Sequence, residues 1–343
     1  MIEIVIIIAL IALMARFLPS LILLSQFSYP NAKFSAIENK FLKEKELTKL
    51  LECKNLEELK NNVISRDFII EGENVKEMQE SIEKSLIKLL LMAKNDSPKK
   101  VRDFYDAYME KIDAEKLKRA IRSLLEEKEI EEKAYSQKIK NIIEKLKKAD
   151  REQAELILKE YGYEIDFEKS IEEIEKEIDK KAIERLLSAE LPKNCRKARD
   201  KFVGILIDIL NLKTIFRGKY YGMDIEKILL DGGWEISEWQ IKELLKLTSI
   251  PEIISTLEGA SYFASLRQAI TDFEKEGVIA LERALDKHLL KVANEIANEF
   301  TLNIGPGIRF IVEKEFEARN LMAIVKAVGE GMQEEAKKVL VME

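Results

Sequence analysis

Residues 202–222 read FVGILIDILNLKTIFRGKYYG, and one carboxylate stands in their middle with apolar residues on both sides. Asp208 is followed after three residues by Leu212 and after four more by Arg217. The same acid, leucine and base recur as Asp113, Leu117 and Arg122, and again as Glu317, Leu321 and Lys326. Lys116, Asn211 and Asn320 stand before the leucine in the three copies, and a looser fourth copy lies at Asn31, Ala32, Ser35 and Ile37. Successive copies are roughly 85, 95 and 110 residues apart, too long for solenoid units of ~20–50 residues, so the period predicts duplicated domains. Around each copy the apolar residues fall at spacings of three and four: Phe104, Tyr108 and Ile112; Phe202, Ile205 and Ile209; Ile308, Ile311 and Val312. Such spacing puts each set on one helix face.

Prolines punctuate the pattern. Pro30, Pro98, Pro192 and Pro306 each precede a copy, as suits a residue tolerated in a first helical turn. Motif helices are therefore expected at about 98–128, 192–220 and 306–328, with Ser97 as an N-cap and Ile304-Gly305-Pro306-Gly307 as a break. Leu51–Leu59 and Leu245–Ile253 echo one another as a helix end, a capped turn and a new helix. A short helix pair is thus expected after each motif helix. It is least clear in the middle of the chain, where Leu156, Leu158, Tyr161 and Ile165 are the expected anchors and Glu126–Lys148 reads as a solvated, charged helix face that could meet a partner.

Composition agrees with an all-α chain. Of 343 residues 46% are hydrophobic and 35% charged, with few Gly and Pro, and Val/Thr/Tyr alternation is nearly absent. The length allows two or three modest domains, divided here as 28–125, 126–220 and 221–343, with the last helix able to pack back on the first domain. A net charge of -6 argues against a nucleic-acid binder. Cys53 and Cys195, far apart, make neither a disulfide framework nor a zinc site. Residues 1–27 differ from the rest, since Ile2–Phe27 carries only Glu3 and Arg16 as charges. About 22 helical residues span a bilayer core. Lys33, Lys40 and Lys43 follow, which would hold the body on the cytoplasmic side of a cell membrane. A cleaved signal peptide, a buried helix and a misassigned start codon are the alternatives.

Few residues offer chemistry. Asp208 reads either as an ion site or general base, or as an inter-helix hydrogen bond that fixes packing; its recurrence as Asp113 and Glu317 favours the second. His288, the only histidine, lies in a charged stretch and reads as an exposed helix residue, which cannot alone build a zinc site or triad. Gly218, Gly222, Gly232 and Gly233 match no phosphate-loop pattern and read as turns. Trp234 and Trp239 read as core anchors. No cofactor, metal or small-molecule substrate is indicated.

The segment Ile304–Leu321, IGPGIRFIVEKEFEARNL, resembles the C-terminal signature of the C subunit of archaeal A-type ATP synthases, the family that also contains the d subunit of eukaryotic V-ATPases. DILNLKTIFRGKYYG at Asp208–Gly222 resembles its second signature. Tyr29-Pro30-Asn31-Ala32-Lys33, with Glu44–Leu47 and Leu50-Leu51, resembles its N-terminus. The resemblance implies a non-catalytic rotor part, a funnel of three similar helical domains that sits on the proteolipid ring and receives the central shaft subunits. In that setting Asp208, Asn211 and Arg217, with Glu317, Asn320 and Lys326, are expected to hold the motif helices together. The family body usually lacks a hydrophobic N-terminal helix of this length. Ile2–Phe27 is therefore expected on the rotation axis, inside the ring lumen. The rival reading is a membrane-tethered helical adaptor.

Overall fold

The computed structural model describes residues 18, 21, 22 and 24–342, which are helices and connecting turns, with no strand among them. Most of Ile2–Phe27 lies outside the described residues; within them, no helix is long and apolar enough to cross a membrane.

In chain order the helices are α1 (24–36), α2 (Glu44–Leu51), α3 (Leu56–Asn62), α4 (Val75–Asp96), α5 (Arg102–Leu125), α6 (Gln137–Leu146), α7 (Arg151–Glu160), α8 (Ile171–Ser188) and α9 (Lys193–Tyr221). There follow α10 (Glu238–Lys246), α11 (Ile250–Thr256), α12 (Tyr262–Gln268), α13 (Ile270–Glu276), α14 (Val278–Glu299), α15 (Gly305–Glu330) and α16 (Gln333–Lys337). The three motifs sit on α5, α9 and α15. Each of these follows an antiparallel partner (α4, α8, α14) across a break of a few residues. The six long helices pack in a closed cycle: α4 on α5, α5 on α8, α8 on α9, α9 on α14, α14 on α15, and α15 back on α4.

The three motif helices also end alike. Fourteen residues past the motif acid, Glu127, Gly222 and Gly331 each take positive φ (55°, 69° and 72°). The next amide then bonds back five residues, from Lys128 to Ser123, Met223 to Gly218 and Met332 to Ala327. This is the left-handed helix stop that glycine favours; only Glu127 makes it with a side chain.

Short helix pairs complete the repeats. α6–α7, α10–α11 and α2–α3 each have a second helix capped by a side chain, from Asp150, Ser249 and Asn55. The pair beside α15 is thus the one at the start of the chain: α15 packs on α2 and α3, so the third repeat is assembled from both ends of the sequence. α1 lies over the α14–α15 break. Asn31 Nδ2 donates to the carbonyls of Thr301 and Asn303, and Phe34 stacks on Phe310 at 4.9 Å. The looser fourth copy around Asn31 is therefore no motif helix; it satisfies carbonyls left over at the end of α14.

Several local expectations are corrected. Ser97 caps no helix N-terminus; it is buried and its Oγ donates to Tyr105 Oη. Glu126–Lys148 exposes most of its charges, as a solvated face would, but it has a buried side as well. Ile130, Ala134, Ile139, Ile142, Ile143 and Leu146 are buried, and with Ala154, Leu158 and Ile178 they form a second core separate from the main one. Leu156 is 69% exposed, because Ala154 and Leu158, four apart, define the buried face of α7.

Candidate functional site

The motif helices converge at their N-terminal halves. Phe202 meets Phe104 at 6.5 Å and Tyr108 at 6.2 Å between ring centres. Gly307 passes so close to Tyr105 Oη that a Cβ would collide with it. Beyond this aromatic layer they part, leaving a cavity of about 840 Å³ lined by all six long helices.

Each motif acid is buried and turned away from the cavity, holding the loop that leads into the next short helix. Asp113 Oδ2 accepts from the amides of Tyr135 and Ser136, just before α6. Asp208 Oδ2 accepts from the amides of Trp234 and Glu235, just before α10, and from Tyr262 Oη at 2.8 Å. Glu317 Oε1 accepts from the amide of Phe41, just before α2, while its Oε2 takes Lys314 Nζ at 2.6 Å. Burial pushes the Asp208 and Glu317 carboxyls up, against the hydrogen bonds they accept. Gly233, at φ 142°, is required where the loop crosses Asp208, since a Cβ there would run into the carboxylate.

The residue before each leucine adds a second tie: Lys116 and Asn211 to another point of the same loop, Asn320 to Phe41 and to the C-terminal segment. Lys116 Nζ donates to Lys133 O, pairs with Glu83 at 3.0 Å and lies 3.8 Å over the Tyr135 ring. Asn211 both donates to and accepts from the backbone of Leu230. Asn320 does the same to Val341 and also donates to Phe41 O. Leu117, Leu212 and Leu321 are buried beneath.

The motif bases do not reach the motif acids. Arg122 pairs with Glu175 on α8, and Arg217 with Glu282 on α14. Four residues earlier on each motif helix, Lys118 pairs with Asp179 and Lys213 with Asp286. The α5–α8 and α9–α14 seams thus carry matching two-rung ion ladders. The α15–α4 seam does not: Met322 replaces the lysine, Gln79 stands where Glu175 and Glu282 stand on their helices, and Lys326 is exposed. Gln79 instead donates to Met322 O.

Three other sequence expectations change. Trp234 and Trp239 are 44% and 69% exposed: the backbone of Trp234 is committed to Asp208, and Trp239 lies opposite the buried Ile241 and Leu244 of α10. His288 is buried, with Nε2 2.9 Å from Ser261 Oγ and its ring against Tyr262. Burial pushes its pKa down to about 4, so it is neutral near pH 7. Among charged neighbours it gave no apolar signal, but it follows Leu285 by three residues, on the buried face of α14. Cys53 and Cys195 are free and buried.

At the cavity floor lies a network the sequence did not reveal. Glu315 takes Lys111 at 2.8 Å and Tyr108 Oη at 2.6 Å, joining α15 to α5. Asp286 takes both Lys213 and Arg319, joining α14 to α9 and α15. Burial alone would raise the Glu315 carboxyl, but Lys111, Tyr108 and Arg319 outweigh it and hold it low. Each of these charged groups is engaged with another residue. Among the described residues no cluster of His, Cys, Asp and Glu is suited to a metal ion.

Comparison with known proteins places this architecture. The family model "ATP synthase (C/AC39) subunit" matches residues 30–338. Among curated relatives is the A-type ATP synthase C subunit of Methanocaldococcus jannaschii, 29% identical over 93% of this chain and 87% of the relative. The protein of the same name from Methanothermobacter thermautotrophicus is 29% identical over 88% and 83%, and that from Thermococcus kodakarensis 27% identical over 92% and 90%.

Proposed function

This chain belongs to the ATP synthase (C/AC39) subunit family, and we propose that it is the non-catalytic central-stalk rotor subunit of a proton- or sodium-translocating A-type ATP synthase. In this role it is a socket that couples the membrane proteolipid ring to the central shaft. The observation that carries the reading is the cavity between the three motif helices, walled by all six long helices. A torque-transmitting part must resist shear around its axis. A closed cycle of packed helices does so because every helix has a neighbour on both sides. The motif residues have a structural role in this reading. Asp113, Asp208 and Glu317, with Lys116, Asn211 and Asn320, tie the outer loops to the motif helices, and Arg122 and Arg217 tie the motif helices to their neighbours.

The three repeats, the third completed by α2 and α3 from the start of the chain, would form a pseudo-threefold funnel on the cytoplasmic side of the cell membrane. The apolar stretch that precedes α1 would enter the ring lumen on the axis, where a rotating helix avoids the stator, while Phe27 in α1 is buried in the body. Depletion of this chain from native membranes tests the role. ATP-driven ion pumping is expected to cease while the head still hydrolyses ATP, and adding the chain back is expected to restore pumping. Pumping that persists without the chain would contradict the reading.

A further inference from the structure

Three helices that carry the same motif line the cavity, but they do not bring it the same charge. Two residues past each motif acid, one side chain lines the cavity from each motif helix: Glu115 on α5, Leu210 on α9 and Arg319 on α15. The same position is therefore an acid, an apolar residue and a base.

Its neighbours amplify the difference. Lys118 on α5 pairs with Asp179 and also with Glu115, so one cation faces two carboxylates. At the corresponding place on the opposite wall, Lys213 pairs with Asp286, and Asp286 also takes Arg319, so one carboxylate faces two cations. Each wall holds the same lysine–aspartate rung, and the third member sets the sign. Arg319 remains about half exposed, lying over the Phe316 ring at 4.8 Å, and Glu115 has 65% of its side chain open to solvent. Both can meet an occupant. Glu172 and Glu175 stand on the same wall, interleaved with Arg119, Arg122 and Lys176, so the contrast between the walls lies at the Glu115 and Arg319 positions themselves.

We infer that the position shared by Glu115, Leu210 and Arg319 keys the cavity, so that the seated end of the central shaft enters in one of three otherwise equivalent azimuths, with a carboxylate against Arg319 and a basic side chain against Glu115. This rests on the socket reading above and adds to it the chemistry of the contact. A backbone of threefold symmetry alone offers three seatings of equal energy. Like charges brought together in the two wrong seatings would separate them.

The test uses the full-length chain and the purified central shaft subunits of the same complex. A photo-crosslinking residue is placed at Arg119 or at Thr214, both six residues past a motif acid and both lining the cavity. The two positions are expected to capture different residues of the shaft. In the charge-exchanged variant E115R/R319E, binding is expected to weaken at least about tenfold and to lose part of its salt dependence, with R319K close to wild type. Circular dichroism establishes that each variant is folded. Capture of the same shaft residues from both positions, or unchanged binding of folded E115R/R319E, would overturn the inference while leaving the socket reading intact. A wild-type chain that does not bind the shaft would remove both.

Discussion

Replacing Asp208 by Ala removes the acceptor for three donors at once, the amides of Trp234 and Glu235 and the hydroxyl of Tyr262. A buried donor left without a partner costs about 1–3 kcal/mol. Tyr262 is fully buried and belongs at the upper end of that range. The two amides lie beside the half-exposed Trp234 and regain water in part, so they belong near 1 kcal/mol each. Against roughly 4–5 kcal/mol stands the relief of a carboxylate whose burial raises its pKa, so the net loss is smaller than that sum. Asp113→Ala removes an acceptor for two amides and should cost less, about 2 kcal/mol. The assay is built in: the chain has two tryptophans, and both lie in or next to the loop that Asp208 holds. Urea unfolding followed by tryptophan fluorescence reads this loop, and far-UV circular dichroism reads the helices. In Asp208→Ala the fluorescence transition should precede the helical one, while in the wild type the two coincide. Coincident transitions in the variant, with stability within about 1 kcal/mol of wild type, would refute the reasoning.

Other consequences follow from single positions. Glu127→Gly puts glycine at the one motif-helix stop that lacks it and should stabilise the fold by about 1 kcal/mol, read as a rise in Tm. His288 has a folded pKa near 4 against an ordinary 6.5, so the unfolded chain binds its proton first. The stability it protects is complete above pH 6.5 and is lost as pH falls towards 4, by at most about 3 kcal/mol. His288→Gln should flatten the difference in unfolding free energy between pH 7 and pH 4.5. Gly307→Ala drives a methyl group into Tyr105 Oη and should cost about 1–3 kcal/mol, measured as a lowered urea midpoint; Gly162→Ala, where the space is open but φ is 86°, separates backbone strain from such a clash.

The helices were legible because their signals are local. The spacing around Asp113, Asp208 and Glu317 and the Gly-Pro-Gly break set α5, α9 and α15 to within a few residues. That the acids serve loops, and which loops, was not legible. Asp208 meets Trp234 only after the chain has turned back, and Glu317 meets Phe41 from the far end of the sequence. For the same reason the fourth motif copy misled: a third repeat built from both termini leaves an N-terminal echo without a motif helix. His288 and the tryptophans failed in opposite directions. Chemical type ranked them, whereas the helix face of His288 and the backbone duty of Trp234 decided burial. The floor network joins α5, α9, α14 and α15, and no single stretch of sequence records such a meeting.

The claim that this chain joins a proteolipid ring to a central shaft is tested most directly by recovering the full-length protein from native membranes in mild detergent and identifying its companions by mass spectrometry. The account predicts proteolipid, central shaft and ATPase head in one assembly, together with a peptide from within Ile2–Phe27. Recovery of the chain without any other ATP synthase component would contradict it.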